Sequence, residues 1–146
     1  MPELGHIVLY VRDLEKSRDF YREVVGLRQV GMIFNNRGAV LSSGRTHHEL
    51  LLIQVNDAPG PLQGKRIGLY HVGWKVGNDL DDLRRAKQRV EAFGAVIDGL
   101  ADHTVSQSLY IRDPDGNEVE LFVDNPDFDW KKSDSWLDAP VKALKL

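Results

Sequence analysis

The feature that most constrains this chain is an internal duplication, because the same order of predicted elements occurs twice along its 146 residues. An alternating, β-branched run over 4–11 precedes an acidic residue and an amphipathic helical pattern, and the run over 68–76 does the same. A histidine stands at the same place in each run, His6 and His71, and each is followed five positions later by a valine. Three more strand-like runs follow each helical pattern. The sequence therefore predicts two βαβββ modules, a kind of unit that can close a sheet around a shared cleft.

Turn-forming and linker residues divide the chain into four segments, which together are predicted to form one α+β domain. Its sheet is expected to be mixed and cupped around a metal cleft, with the helices on the outer face. A polar linker bearing Pro and Gly separates the modules, and a tail with two tryptophans follows the last strand. The segments are module one over 1–55, the linker over 56–66, module two over 67–124 and the C-terminal tail over 125–146.

Each module is predicted to contain one helix and four strands. Asp13 is the predicted N-cap of the first helix, and either Asp79 or Asp81 can cap the second. Gly26 and Gly94 suit the ends of the two helices. After the helices, strand-like runs cover 27–34, 38–42 and 48–55 in the first module, and 95–100, 105–112 and 118–123 in the second.

The composition excludes several classes of function. The apolar fraction is 42%, the charged fraction is 28% and the net charge is −3, so there is no basic stripe for nucleic acid or for an acidic membrane. The absence of cysteine excludes disulfides, zinc–thiolate sites and thiol nucleophiles. No run approaches a membrane span, and the first residues lack the pattern of a signal peptide, so a cytoplasmic protein is expected.

Strand parity places three polar residues on the same side of the predicted sheets, since alternate side chains of a strand point to opposite faces. His6, His71 and Glu120 each lie opposite an apolar set that should cover a helix. Two histidines and one carboxylate form the facial triad of non-haem Fe(II) sites, which leaves adjacent positions open for substrate and O2. The alternative is three unrelated polar residues on a solvated face, and it does not explain histidines at equivalent positions of a repeat.

Two stretches resemble the motifs of a known family. HTVSQSLYIRDPDGNEVE (103–120) is similar to the signature of type I extradiol (catechol meta-cleaving) dioxygenases, with its histidine, Leu-Tyr pair, acidic-Pro-x-Gly turn and glutamate. GRTHH (44–48) is similar to that family's Gly-Arg-His-His strand, with Thr46 inserted. These dioxygenases belong to the vicinal oxygen chelate superfamily, which includes glyoxalases and bleomycin-resistance proteins. The family is usually larger, with two such double modules, whereas this chain has one.

The resemblance implies a function and a cofactor. A protein with these motifs would be an Fe(II)-dependent extradiol dioxygenase that cleaves a catechol-type substrate with O2. His6, His71 and Glu120 would hold the iron, or Mn(II) in its place. The expected partners are the aromatic small molecule, O2 and further copies of the chain in a homo-oligomer.

The resemblance also implies catalytic roles. His48 would be the acid/base residue beside the O2 site, while His103 and Tyr110 would form hydrogen bonds with the substrate oxygens. Because Thr46 is inserted, either His47 or His48 could be the histidine that faces the site. Strand parity independently directs Tyr110 to the polar side of its sheet.

Other functions of the same fold stay open. Fosfomycin-resistance transferases are similar in size and use a His, His, Glu triad with Mn(II). Glyoxalases and epimerases generally take a further ligand from the fourth strand, where this chain offers Glu49. Neither explains His103 and Tyr110 together. A metal-free drug-binding module, like the bleomycin-resistance proteins, generally lacks the triad, so the sequence favours the dioxygenase.

Overall fold

In the computed structural model, which describes residues 1–146, each half of the chain forms a mixed four-stranded sheet with helical segments. The predicted α+β class and the repeated order βαβββ are confirmed. The chain divides into two compact units, residues 1–66 with 114–116, and residues 67–113 with 117–146. That both units belong to one domain remains a prediction. None of the helices has the length and apolar character needed to cross a membrane.

The first unit has its first strand beside its last one. Its strand order is β1-β4-β3-β2, in which β1 and β4 are parallel and the other pairs are antiparallel. The elements are β1 (Ile7–Val11), α1 (Leu14–Phe20) continued by a π-helical turn (Tyr21–Val25), β2 (Arg28–Ile33), β3 (Gly38–Ser42) and β4 (Leu50–Gln54).

Local signals fix the ends of α1, and burial fixes the face of the sheet that it covers. The Asp13 carboxylate accepts a hydrogen bond from the Lys16 amide at 3.2 Å, and Gly26 ends the helical segment at φ 98°. The core of the unit is apolar, which provides the main stabilisation of the folded state. Its fully buried side chains include Val11, Phe20, Tyr21, Val24, Leu41, Leu50 and Leu52.

The second unit repeats this topology. Its strand order is β5-β8-β7-β6, again with a parallel pair between its first and last strands. Asp79 is the N-cap of its helix and accepts from the Asp82 amide at 2.9 Å, which decides between the two predicted caps. The elements are β5 (His71–Gly77), α2 (Leu80–Phe93), β6 (Ile97–Asp102), β7 (Ser106–Arg112), β8 (Glu118–Asp124) and a 3-10 turn (Ser135–Asp138).

Three predicted strands begin later than expected. The run over 4–11 becomes a strand at Ile7, so His6 lies just before the strand rather than within it. The run over 48–55 begins as a strand only at Leu50. The buried Glu49 carboxylate accepts hydrogen bonds from the Ser42 hydroxyl and the Ser43 amide, and these bonds hold the preceding residues in a loop. The run over 68–76 becomes a strand at His71. The tail contains the 3-10 turn and one isolated bridge between Asp102 and Lys142.

Candidate metal and substrate site

His71 and Glu120 lie side by side on the polar face of the second unit's sheet. Their strands, β5 and β8, are parallel neighbours. Nε2 of His71 is 3.1 Å from Oε2 of Glu120, and the two side chains are 26% and 15% exposed. Val119 and Leu121, the strand neighbours of Glu120, are buried on the opposite face. The sheet therefore brings together two of the three predicted metal ligands.

Gly73 leaves the space that the Glu120 carboxylate occupies. The two residues are partners in the β5–β8 register. A Cβ added at Gly73 would lie 3.1 Å from Oε2 of Glu120 and 3.4 Å from a ring carbon of Phe122. A larger residue would push the carboxylate away, because the interior of a sheet face has little spare room. Sequence reasoning missed this residue, although its parity matches that of His71.

The other oxygen of Glu120 is held by two hydroxyl groups. Ser108 Oγ donates to Oε1 at 2.5 Å, and Tyr110 Oη donates to the same oxygen at 3.3 Å. Ser108 is completely buried, so this hydrogen bond is shielded from water. The hydroxyls thus fix the orientation of the carboxylate and leave Oε2 facing His71. The role of Ser108 was also missed.

Tyr110 connects the carboxylate to His103. Nε2 of His103 lies 2.7 Å from Tyr110 Oη. His103 begins a tight loop after β6, in which its amide donates to the Ser106 carbonyl at 2.8 Å and Thr104 adopts a φ of 72°. Burial, and then the charge of Glu120, raise the pKa of Tyr110 to about 12. The phenol therefore stays protonated near neutral pH and can act as a donor.

Three histidines cluster in the first unit, where His6 directly precedes β1. The His6 and His48 rings stack with centroids 4.5 Å apart and planes 28° apart. Nδ1 of His47 is 2.5 Å from Nδ1 of His48. Burial, followed by the nearby imidazoles of His47 and His6, lowers the pKa of His48. A histidine with a lowered pKa is neutral near pH 7 and can accept a proton.

Arg45 and Glu49 shape the loop around these histidines. The Arg45 guanidinium donates to the carbonyls of Leu4 at 2.9 Å and Gly5 at 3.2 Å, and so holds the segment that leads into His6. Arg45 belongs to the GRTHH motif (44–48), but the sequence assigned it no role. Glu49 is 8% exposed and is occupied by hydrogen bonds from the loop. Its carboxylate therefore has a structural function here.

The His71–Glu120 pair fits two adjacent positions of a six-coordinate metal ion. Ligand atoms about 2.1 Å from a metal and at right angles to each other are about 3 Å apart, close to the observed 3.1 Å. An imidazole nitrogen and a carboxylate oxygen are also donor types that Fe(II) accepts. Neither unit by itself gathers three or more His, Asp or Glu side chains that could hold a metal. The third predicted ligand, His6, is in the first unit.

Known proteins of several activities are similar to this chain. Catechol-2,3-dioxygenase of Bacillus subtilis (strain 168) is 33% identical over 130 residues, which cover 88% of this chain but 44% of that protein. Glutathione transferase FosA of Serratia marcescens is 28% identical over 123 residues, which cover 84% of this chain and 82% of that protein. The chain thus spans less than half of the dioxygenase and most of the transferase.

Solved structures and a family model agree on the fold. A glyoxylase/bleomycin resistance protein/dioxygenase domain from Frankia sp. EAN1pec matches with a TM-score of 0.69 and 22% identity, covering 86% of this chain and 99% of that one. The model of the Glyoxalase/Bleomycin resistance protein/Dioxygenase superfamily matches residues 3–121. That match covers most of the chain and includes His6, His71 and Glu120. The chain therefore belongs to the Glyoxalase/Bleomycin resistance protein/Dioxygenase superfamily.

Proposed function

We propose that the chain is an Fe(II)-dependent extradiol dioxygenase that opens a catechol-type ring with O2. The observation that carries the proposal is a set of polar side chains on the second unit's sheet. His71 lies beside Glu120, and Tyr110 contacts both Glu120 and His103. A pair of metal-binding groups next to two hydrogen-bonding groups suits a substrate with two adjacent hydroxyls. The similarity to a catechol-2,3-dioxygenase supports this choice of chemistry.

The proposed metal ligands are His6, His71 and Glu120. His6 is included because it occupies the position in the first copy of the repeat that His71 occupies in the second. Fe(II) is the proposed metal, with Mn(II) as the second choice. When bound, the iron would supply open coordination positions at which the catechol oxygens and O2 meet, and a path for electron density from the ring to O2.

The chain's own residues would position the substrate and move protons. When substrate binds, Tyr110 would redirect its single proton from Glu120 to a substrate oxygen, since its raised pKa keeps it protonated. Nε2 of His103 lies 2.7 Å from the phenol oxygen and would hold it in place. His48, whose pKa is lowered, would take up and return a proton on the O2 side. The net reaction breaks the ring bond next to the two hydroxyl-bearing carbons. Both atoms of O2 enter the hydroxymuconic semialdehyde product, so no further reactant is needed.

Two alternatives exist within the superfamily. One is another metal-dependent enzyme, such as a transferase, glyoxalase or epimerase, and the other is a metal-free drug-binding module. The coverage of Glutathione transferase FosA favours a transferase as the second candidate. A glyoxalase-like site would need Glu49 as a ligand, and its carboxylate is engaged by Ser42 and Ser43. The contact between His103 and Tyr110, beside the His71–Glu120 pair, supports the dioxygenase over a metal-free module.

The function is tested by loading the protein with Fe(II) without oxygen and then adding O2 with each of a panel of catechols. We expect a yellow ring-opened product and the uptake of one O2 per catechol consumed. An iron-loaded protein that consumes no O2 with any catechol would exclude the dioxygenase. Turnover of a glutathione-dependent reaction by the Mn(II)-loaded protein would then support the transferase.

The ligand set is tested by His6→Ala, His71→Ala and Glu120→Ala. Each variant should lose stoichiometric Fe(II) binding and keep a native far-UV spectrum, because a three-ligand site has no spare donor. Asp124→Asn is a matched control, since Asp124 lies on β8 but pairs with Lys75 at 2.7 Å. Full iron retention by all three alanine variants would rule out the proposed ligands.

A further inference from the structure

Glu118 is a carboxylate beside the proposed metal pair that has no part in the proposed function. Its Oε2 lies 2.8 Å from Nδ1 of His71, the ring nitrogen that does not face Glu120. The Glu118 side chain is only 11% exposed. Glu118 and His71 are direct partners in the β5–β8 register, so the pairing of the strands brings the two side chains together. Glu118 also has the same strand parity as Glu120, two residues later.

The His71 ring therefore lies between two carboxylates. Glu118 is at Nδ1, at 2.8 Å, and Glu120 is at Nε2, at 3.1 Å. Because an ionised carboxylate only accepts hydrogen bonds, its contact with Nδ1 favours the tautomer that carries the proton on that nitrogen. In the neutral ring Nε2 then has the lone pair, which is the form that a metal ligand requires.

Glu118 is itself held from the next strand. Arg112 is its partner in the β7–β8 register, and a guanidinium nitrogen of Arg112 is 4.0 Å from Oε1 of Glu118. Arg112 is in turn paired with Asp98 on β6. Charges of alternating sign thus run from β6 to His71. The Arg112 charge lies on the Oε1 side of the Glu118 carboxylate, and Oε2 is the oxygen that contacts the imidazole.

We propose that Glu118 is a positioning residue for His71, which fixes the tautomer of the imidazole and directs Nε2 to the metal. The inference rests on the proposed metal-binding function, but it concerns a different residue. Outer partners of metal-bound histidines typically contribute 10–100-fold to metal affinity. Glu118→Ala should therefore weaken metal binding by about 10–100-fold. Glu118→Gln should restore part of the loss, because its amide oxygen can still accept from Nδ1–H.

The affinity arm uses Zn(II) alone as the probe, in competition with a coloured chelator, on the full chain. The wild type, Glu118→Ala, Glu118→Gln and the Asp124→Asn control are compared, each checked by far-UV circular dichroism. We expect the order wild type, then Gln, then Ala, with the control within twofold of the wild type. Wild-type affinity in folded Glu118→Ala and Glu118→Gln would overturn the proposal.

The second arm reads the imidazole directly, by ¹H–¹⁵N NMR of the His71 ring in the metal-free and Zn(II)-loaded protein. A protected, downfield Nδ1 proton is expected in the wild type and should be lost or exchange rapidly in Glu118→Ala. An Nδ1 proton that is absent in the wild type, or unchanged in Glu118→Ala, would overturn the positioning role. A wild type that binds no metal but shows the Glu118-dependent proton would refute the metal function and support the positioning of His71.

Discussion

Two strand glycines of the second unit differ in what lies beside them. A Cβ at Gly73 would meet Oε2 of Glu120 at 3.1 Å, whereas a Cβ at Gly99 would meet nothing within 4 Å. Gly73→Ala should displace the carboxylate and lower Fe(II) affinity by about tenfold or more, as loss of ligand orientation does elsewhere. Gly99→Ala is the matched control and should keep the wild-type affinity. Anaerobic titration measures the Fe(II) affinity of both variants. Equal affinities would mean that the Glu120 carboxylate can shift without weakening metal binding.

The two adjacent histidines of the first unit are predicted to differ in function. The His48 ring stacks on His6, while His47 is exposed and contacts His48 through Nδ1. His48→Gln should keep iron and catechol binding but lower turnover by roughly 10²–10⁴, the usual contribution of a proton-transfer group. His47→Gln should have a much smaller effect. Steady-state kinetics on both variants decide, and the reverse result would assign the acid/base role to His47.

Motif and parity could predict some of the candidate site but not the residues that orient it. Parity gives the face on which a side chain lies, and it gave the faces of His71 and Glu120 correctly. It does not give the neighbour across the sheet, which depends on strand register. Ser108, Glu118 and Gly73 acquire their positions only from the pairing of β7 and β5 with β8. For that reason the sequence alone could not identify them.

At the scale of elements, helix ends were more predictable than strand ends. Helix ends depend on local signals within a few residues, here the N-caps Asp13 and Asp79 and the left-handed glycines Gly26 and Gly94. The start of β4 instead depends on hydrogen bonds between Glu49 and a loop several residues away. Tertiary contacts of this kind override the alternating pattern that suggested a longer strand.

The tail is predicted to steady the loop that carries His103. Asp102 and Lys142 exchange two backbone hydrogen bonds of 2.9 Å, and His103 follows Asp102 directly. Lys142→Pro removes one donor and should speed amide exchange at Asp102 and raise the KM for catechol several-fold, with metal affinity kept. Lys145→Pro, beyond the bridge, is the control. If Lys142→Pro changes the oligomeric state and leaves the kinetics unaltered, the tail is an interface element instead.

At the scale of the whole molecule, metal binding should appear as added stability. A ligand at about 100 times its Kd stabilises the folded state by about 2.7 kcal/mol when the unfolded chain does not bind it. For a chain of this size that corresponds to a rise in Tm of roughly 5–10 °C. Anaerobic calorimetry with and without Fe(II) measures the shift, and Glu120→Ala should show none. A wild-type Tm that does not respond to Fe(II) would contradict the proposed site.

The duplication predicted the fold class because the same order of strand-like and helix-like segments is visible twice in the sequence. It could not predict the strand order β1-β4-β3-β2 or its repeat in the second unit. Those orders bring together strands that are far apart in the chain, and no local periodicity encodes such a pairing. The sequence therefore indicated how many strands each module has, and the structure supplied which strands are neighbours.

The parallel pairing of first and last strands also sets an order of events during synthesis. His71 and Glu118 are 47 positions apart in the chain and meet only when β8 joins β5. Ribosomes add about 5–20 residues per second, so Glu118 and Glu120 are synthesised roughly 2–10 s after His71. The first unit's own strands are complete well before that time. A nascent chain therefore has no His71–Glu120 pair until β8 has been made, and the proposed metal capture would follow the synthesis of that strand.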